Sequence, residues 1–268
     1  MTINEPINLV IANRYRVISQ LGAGGMGKVY RVLDRLTGKP AALKRVNVPT
    51  ASIRISRNNE ANPDVALARE FRFLASLHHP NIINVFDYGF DEAHQPYYVM
   101  TLIEQVRTIT QAAHGRDLVQ KMNLLIDMLQ ALVYLHRRDI LHRDLKPDNA
   151  LVNKDDQLQL VDFGLSVEGS HALGMSGTLA YMSPEILRSG EASIYSDLYS
   201  VGVIAYELFA GKHPFDTRNL NELFKRVLDQ PPDLSAMQAP DPLKWVINRL
   251  LAKDPQDRYA SAGEVLQA

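Results

Sequence analysis

The sequence predicts an α+β protein in two parts, a strand-rich first hundred residues and a mainly helical remainder. Short segments of alternating or β-branched apolar residues recur as far as Met100. Beyond Asp117 the apolar residues return every three or four positions, the period of an amphipathic helix. A chain of 268 residues is also long for one core and suits one large domain or two lobes.

Composition narrows the function classes. The chain is 46% hydrophobic and 22% charged, ordinary for a globular protein. A net charge of −1 implies no basic surface, so nucleic acid is not an expected partner. With no cysteine there are no disulfides or thiolate metal sites, which suits a cytoplasmic setting. The start, MTINEPINLVIAN, lacks a basic region followed by a sustained apolar run. Val201 to Ala210, an apolar stretch of the second half, is about half of what a membrane span needs. No membrane span is therefore expected.

Residues 1–13 read as a flank. Tyr15 to Leu21 alternates as a strand, and LGAGGMGKVY follows, with Gly22, Gly24 and Gly27 at G-x-G-x-x-G-x-V spacing. Glycines let backbone N–H groups approach phosphate oxygens because no Cβ intervenes. A dinucleotide-binding fold uses the same three glycines, but there a helix should follow. Here Lys28 to Leu33 (KVYRVL) reads as a strand, which favours a hairpin lid over a nucleotide. A third strand, Pro40 to Val46, carries Lys44. Taken alone, that lysine reads as a solvated surface charge.

Residues 47–64 are polar and turn-rich, either a connector or a short extra helix. Asn62-Pro63 then starts a helix over Asp64 to Leu77, with Phe71, Leu74 and Leu77 on one face and Glu70 beside it. His78 and His79 are adjacent and cannot face one ion together, so they read as structural. Strands at Asn84–Tyr88 and Pro96–Met100 close the first part.

In the second part a helix runs from Asp117 to His136, with Leu118, Met122, Leu125, Leu129 and Val133 as its stripe. It leads into ILHRDLKPDNALV, residues 140–152. An acid (Asp144), a lysine two residues on (Lys146) and an amide five residues on (Asn149) suit phosphoryl transfer. Asp144 can accept the proton of an attacking hydroxyl, Lys146 can neutralise the moving phosphoryl group, and Asn149 offers an oxygen to a cation. Leu158 to Val161 reads as a short strand that ends at Asp162-Phe163-Gly164, another carboxylate placed for a metal. The gap between Asp144 and Asp162 leaves room for one hairpin. Ser193 to Ala210 is apolar all round and should be buried. Helices are also expected at Leu220–Leu228 and Leu243–Leu251, with a capping box from Ser261 and Glu264 opening the last one.

HRDLKPDN matches H-R-D-L-x-x-x-N, and together with the glycine loop, DFG and GTLAYMSPE the chain resembles the eukaryotic-type (Hanks-type) serine/threonine protein kinases, bacterial ones in particular. The resemblance covers residues 14–265. It implies a two-lobed kinase-like fold: a small antiparallel β lobe with one helix (14–100), a hinge (101–104) and a larger, mainly helical lobe (105–268), with ATP in the cleft. The implied reaction moves the γ-phosphate of Mg-ATP to protein serine or threonine hydroxyls, Mn2+ being an alternative to Mg2+.

The resemblance also assigns residues. Asp144, Lys146, Asn149 and Thr178 are catalytic, and Asn149 and Asp162 hold metal. Lys44 contacts the α- and β-phosphates and pairs with Glu70. Leu21, Gly22, Gly24, Gly27, Val29, Ala42, Met100, Leu102 and Leu151 complete the nucleotide site. Glu185 should form a buried ion pair with Arg258, and Asp197 should anchor the catalytic loop near His142 as structural support. Arg143 before Asp144 goes with a phosphate on the activation segment, Leu165 to Ser183. Phosphorylation of Ser170 or Ser176 and a constitutively ordered loop both fit. Ser183 stands where relatives carry alanine, and Thr101 where many carry glutamate. A catalytically silent pseudokinase and a small-molecule phosphotransferase are the competing readings. The last helix reaches Ala268 without a stop signal, so further domains are expected beyond it.

Overall fold

The computed structural model describes residues 9–24, 27–46, 71–163 and 179–268. The 47–64 connector, Glu70, Gly164, Thr178, Ser170 and Ser176 lie outside these residues. The described residues fall into two compact units, residues 9–79 with 83–104, and residues 80–82 with 105–163 and 179–268.

The first unit is an antiparallel sheet. Its strands are β1 (Val10–Ile11), β2 (Tyr15–Gly24), β3 (Gly27–Asp34), β4 (Pro40–Val46), β5 (Val85–Phe90) and β6 (Pro96–Met100), in spatial order β1-β2-β3-β4-β6-β5. The two-residue period sorts the side chains. Tyr30, Val32, Ala41, Leu43, Tyr97 and Val99 share one face and, with Ile11, Tyr15 and Val17, form the core. The register places Val29 opposite Lys44 and Ala42 opposite Met100, so these four share the other face. The helix expected over 64–77 is described only at residues 71–75. There Phe71 stacks on Tyr88 and meets Tyr98 at ring distances of 5.7 and 5.6 Å, and Leu74 and Leu77 are buried with it.

One ion network fastens the sheet's start. Arg14 donates two hydrogen bonds to Asp34, each 2.8 Å, and a third of 2.8 Å to Asp87, which also accepts from the Tyr15 hydroxyl. The Arg14 hydrogen bonds hold the Asp34 carboxyl well below the usual carboxylate range.

In the second unit a small sheet, β7 (Arg107–Thr108), β8 (Ala150–Val152) and β9 (Leu158–Leu160), accompanies the helices. These are α1 (Ile109–Ala113), α2 (Leu118–His136), α3 (Pro184–Ser189), α4 (Ile194–Ala210), α5 (Leu220–Asp229), α6 (Asp241–Leu250) and α7 (Ala262–Gln267). Asp117 caps α2 through the N–H of Gln120 at 2.8 Å, and the Gln120 side chain returns the bond. The buried face of α2 differs from the expected stripe. Leu124, Leu125, Met128, Leu129, Leu132 and Leu135 are buried, whereas Leu118 and Met122 are exposed in the first turns. Among the described residues α2 is the helix long and apolar enough to cross a membrane, and 39% of that stretch is buried inside the protein.

Helix α4 is buried almost throughout, as its all-round apolar character requires. The capping box at α7 is only half formed. Ser261 Oγ accepts the N–H of Glu264 at 3.2 Å, but the Glu264 carboxylate takes the N–H of Ala260 at 3.0 Å instead of that of Ser261. Sequence patterns also missed β1, β7, β8, α1 and α3. Each is too short to show a period.

Candidate active site

On the first unit the glycine loop is a hairpin between β2 and β3, with Gly22 opposite Val29 and Gly24 opposite Gly27. Gly27 has φ +136, and a Cβ there would lie 1.9 Å from the carbonyl oxygen of Arg45. No other residue allows β3 and β4 to pair so closely at this point. Leu21 is exposed and Gly22 has open space around it. Lys44 is buried, although a lone lysine on a strand is usually solvated, and it is engaged by neighbouring groups. Met100 and Ala42 are buried beside each other, Leu102 is half-buried, and Thr101 donates its N–H to the carbonyl of Asn84 at 3.0 Å.

On the second unit the loop after α2 carries the reactive groups. Lys146 Nζ donates to both oxygens of Asp144, at 2.9 and 3.2 Å. Asn149 Nδ2 donates to the Asp144 carbonyl at 2.7 Å and to its carboxylate at 2.9 Å. With its amide nitrogen so used, Asn149 has its oxygen left for a cation. Strands β8 and β9 form a hairpin with Ala150 opposite Leu160, and Val161 donates its N–H to the Asn149 carbonyl at 3.0 Å. This returns the chain to Asn149 one residue before Asp162. Asp162 takes a left-handed backbone, φ 61, at the bend that follows. Leu151 is half-buried on β8, while Ala150 and Val152 are fully buried.

Hard-oxygen groups at Asn149 and Asp162 fit a divalent cation that completes its shell with phosphate oxygens. Among the described residues no cluster of three or more His, Asp or Glu side chains could hold an ion by itself.

Supporting groups hold the loop. Asp197, buried on α4, accepts the N–H groups of His142 and Arg143 at 2.9 and 3.0 Å, and His136 Nε2 reaches it at 2.9 Å. Arg143 has φ 68, a strained backbone that these bonds sustain. His142 is wholly buried, which pushes its imidazole pKa down, and its ring meets Phe163 edge-on at 6.2 Å. Its neutral ring serves as packing.

Glu185 and Arg258 form a two-bond pair at 2.8 and 2.9 Å, with Ser196 Oγ donating to Glu185 at 2.8 Å. The Arg258 guanidinium and Ser196 draw the Glu185 carboxyl down against the upward push of burial. The end of the GTLAYMSPE stretch is pinned three ways. His213 reaches the Ala180 carbonyl at 2.9 Å, Ser200 Oγ donates to the Tyr181 carbonyl at 2.8 Å, and the Tyr181 hydroxyl donates to Glu207 at 2.9 and 3.1 Å. His213, which also bonds within its own turn to Phe215 at 2.9 Å, therefore ties that turn to the end of this stretch. Sequence reasoning missed His136, Tyr181 and Glu207, whose partners lie far along the chain.

A glycine hairpin on an antiparallel sheet, with an acid–lysine–amide loop on a helical unit, is the arrangement of the protein-kinase class. The chain belongs to the protein kinase domain family, whose model matches residues 15–268. It is similar to the probable serine/threonine-protein kinase PknB of Lactococcus lactis, 30% identical over 97% of this chain and 42% of that protein. The probable serine/threonine-protein kinase pknA2 of Bifidobacterium longum is 32% identical over 100% of this chain and 36% of its own length. The chain thus spans well under half of these relatives. Among solved structures, the PknI kinase domain of Mycobacterium tuberculosis matches with a TM-score of 0.70 and 29% identity, over 97% of this chain and 96% of that one.

Proposed function

We propose that this domain transfers the γ-phosphate of ATP to serine or threonine hydroxyls of proteins, with Mg2+ as the working cation and Mn2+ able to replace it. The observation that carries this reading is the Asp144 carboxylate gripped by both Lys146 and Asn149. Asp144 takes the proton of the acceptor hydroxyl as its oxygen bonds to the γ-phosphorus and the bond to the β–γ bridging oxygen breaks. Lys146, already beside that carboxylate, offsets charge on the transferring group, and Thr178 assists as resemblance suggests. Asn149 and Asp162 hold the cation, which when bound neutralises phosphate charge. Lys44, paired with Glu70, orients the α- and β-phosphates. Gly22, Gly24 and Gly27 cover them, and Leu21, Val29, Ala42, Met100, Leu102 and Leu151 enclose the base.

In this reading residues 14–100 serve the nucleotide, 101–104 act as hinge and 105–268 serve the acceptor. The whole protein is a cytoplasmic signalling kinase in which further domains follow the catalytic one. The test is incubation with γ-labelled Mg-ATP beside an Asp144→Asn variant. Label on serine or threonine of the chain or an added protein should fall by roughly a hundredfold or more in the variant, the scale of a lost general base. Turnover only on a small alcohol, or none at all, would sink the proposal.

A further inference from the structure

We propose that His213 is a positioning residue for transfer to a polypeptide acceptor: by holding the Ala180 carbonyl it fixes the backbone of residues 180 and 181 beside the catalytic loop that the acceptor chain has to approach. This rests on the protein-kinase reading above and adds a residue to it. Tyr181 lines one cavity of the second unit together with Pro147 and Asp148, the turn that directly follows Lys146. The backbone at that phenol therefore lies against the loop that carries the reactive groups. Two of its three ties come from α4, through Ser200 and Glu207. The third comes from beyond the helix. Helix α4 ends at Ala210, Gly211 turns the chain with φ 69, and His213 stands two residues on.

The ring has the chemistry for this. The Ala180 carbonyl can only accept, so Nε2, 2.9 Å away, carries the proton. Nδ1 faces Phe215, 3.1 Å from its amide nitrogen and 2.9 Å from its carbonyl oxygen. Burial pushes the imidazole pKa down, which keeps the ring neutral at neutral pH and leaves Nδ1 to accept the Phe215 N–H. Among the described residues no carboxylate pairs with the ring. The charged groups about it are Lys212 beside it in the chain, Glu207 behind the Tyr181 hydroxyl, and Lys253, whose Nζ lies 4.5 Å from the centre of the Phe215 ring. The imidazole is set edge-on between Tyr181 and Phe215, with ring centres 5.7 and 6.1 Å away. A donor locked between two rings sets direction as well as distance, which is what positioning a backbone beside a reacting group requires. A histidine that served only its own turn would need Nδ1 and not Nε2.

The experiment compares His213→Gln, His213→Asn and His213→Ala with the parent, using Mg-ATP and an acceptor peptide that the parent selects from a serine/threonine peptide array. A glutamine amide reaches about as far as Nε2, and an asparagine amide about as far as Nδ1. Asparagine therefore keeps the turn and loses Ala180, and glutamine does the reverse. Peptide kcat/KM should fall about fivefold or more in the asparagine and alanine variants, the scale of one lost hydrogen bond, mainly through the peptide KM. Glutamine should restore most of it. KM for ATP should stay within about twofold throughout, because the bond to Ala180 touches no nucleotide contact. Should alanine prevent folding, the glutamine–asparagine comparison decides alone. Glutamine doing no better than asparagine, or KM for ATP rising as much as that for peptide, overturns the positioning role and leaves the kinase reading intact. No phosphorylation by the parent of any peptide or of the chain itself overturns both proposals.

Discussion

Ser183 sits fully buried at the N-cap of α3, and its hydroxyl has no hydrogen-bond partner among the described residues. An alanine, which resemblance places there, would bury no polar atom. A buried hydroxyl without a partner costs about 1–3 kcal/mol. Ser183→Ala should therefore raise stability by about 1 kcal/mol, read as a higher denaturant midpoint at unchanged slope. A lower midpoint would mean that the hydroxyl is satisfied. Lys44 makes the opposite point. Its burial has no trace in its local sequence and follows from the sheet register, which puts it on the face opposite the core tyrosines.

At the scale of elements, α2 and α4 hold the catalytic loop between them. Asp197 on α4 satisfies two loop N–H groups and meets His136 at the end of α2. Asp197→Asn keeps the volume but puts a donor where acceptors are needed and removes a charge. We expect kcat to fall by about tenfold or more, with KM for ATP little changed, because the loop geometry is lost and not the nucleotide contacts. Steady-state kinetics at saturating peptide would check this, and an equal rise in KM for ATP would count against it. Both helices were legible in sequence, α2 from its apolar period and α4 from its all-round apolar character. Their joint hold on the loop was not, because the pairing of His136 with Asp197 spans 61 positions.

Across the whole molecule, each unit carries a carboxylate drawn down by an arginine: the buried Asp34 by Arg14 in the sheet, the half-buried Glu185 by Arg258 among the helices. A carboxyl whose folded pKa lies below its unfolded value stabilises the fold above about pH 4, and that stability is lost as pH falls through the folded value. Acid should therefore unfold both units progressively below about pH 4. Arg258→Leu leaves the half-buried Glu185 without its cation, which should cost about 3 kcal/mol, the low end for a buried pair. Far-UV circular dichroism against pH should show the variant unfolding at higher pH than the parent. Trp245, 77% exposed, makes tryptophan emission a poor monitor of the same transition.

The sequence by itself determined the order of the longer strands and helices, the long apolar helices, and which short stretches carry the acid, lysine and amide. Those features are local: a period of two or nearly four residues, or side chains a few positions apart in one loop. The Glu185–Arg258 pair was legible only through family resemblance. Only the tertiary structure decided which face of α2 is buried, that Ser261 and Glu264 cap α7 by halves, that His213 bridges to Ala180, and that Tyr181 meets Glu207. These depend on which distant groups are brought within about 3 Å, and hydrogen bonding and burial act at that range regardless of separation along the chain.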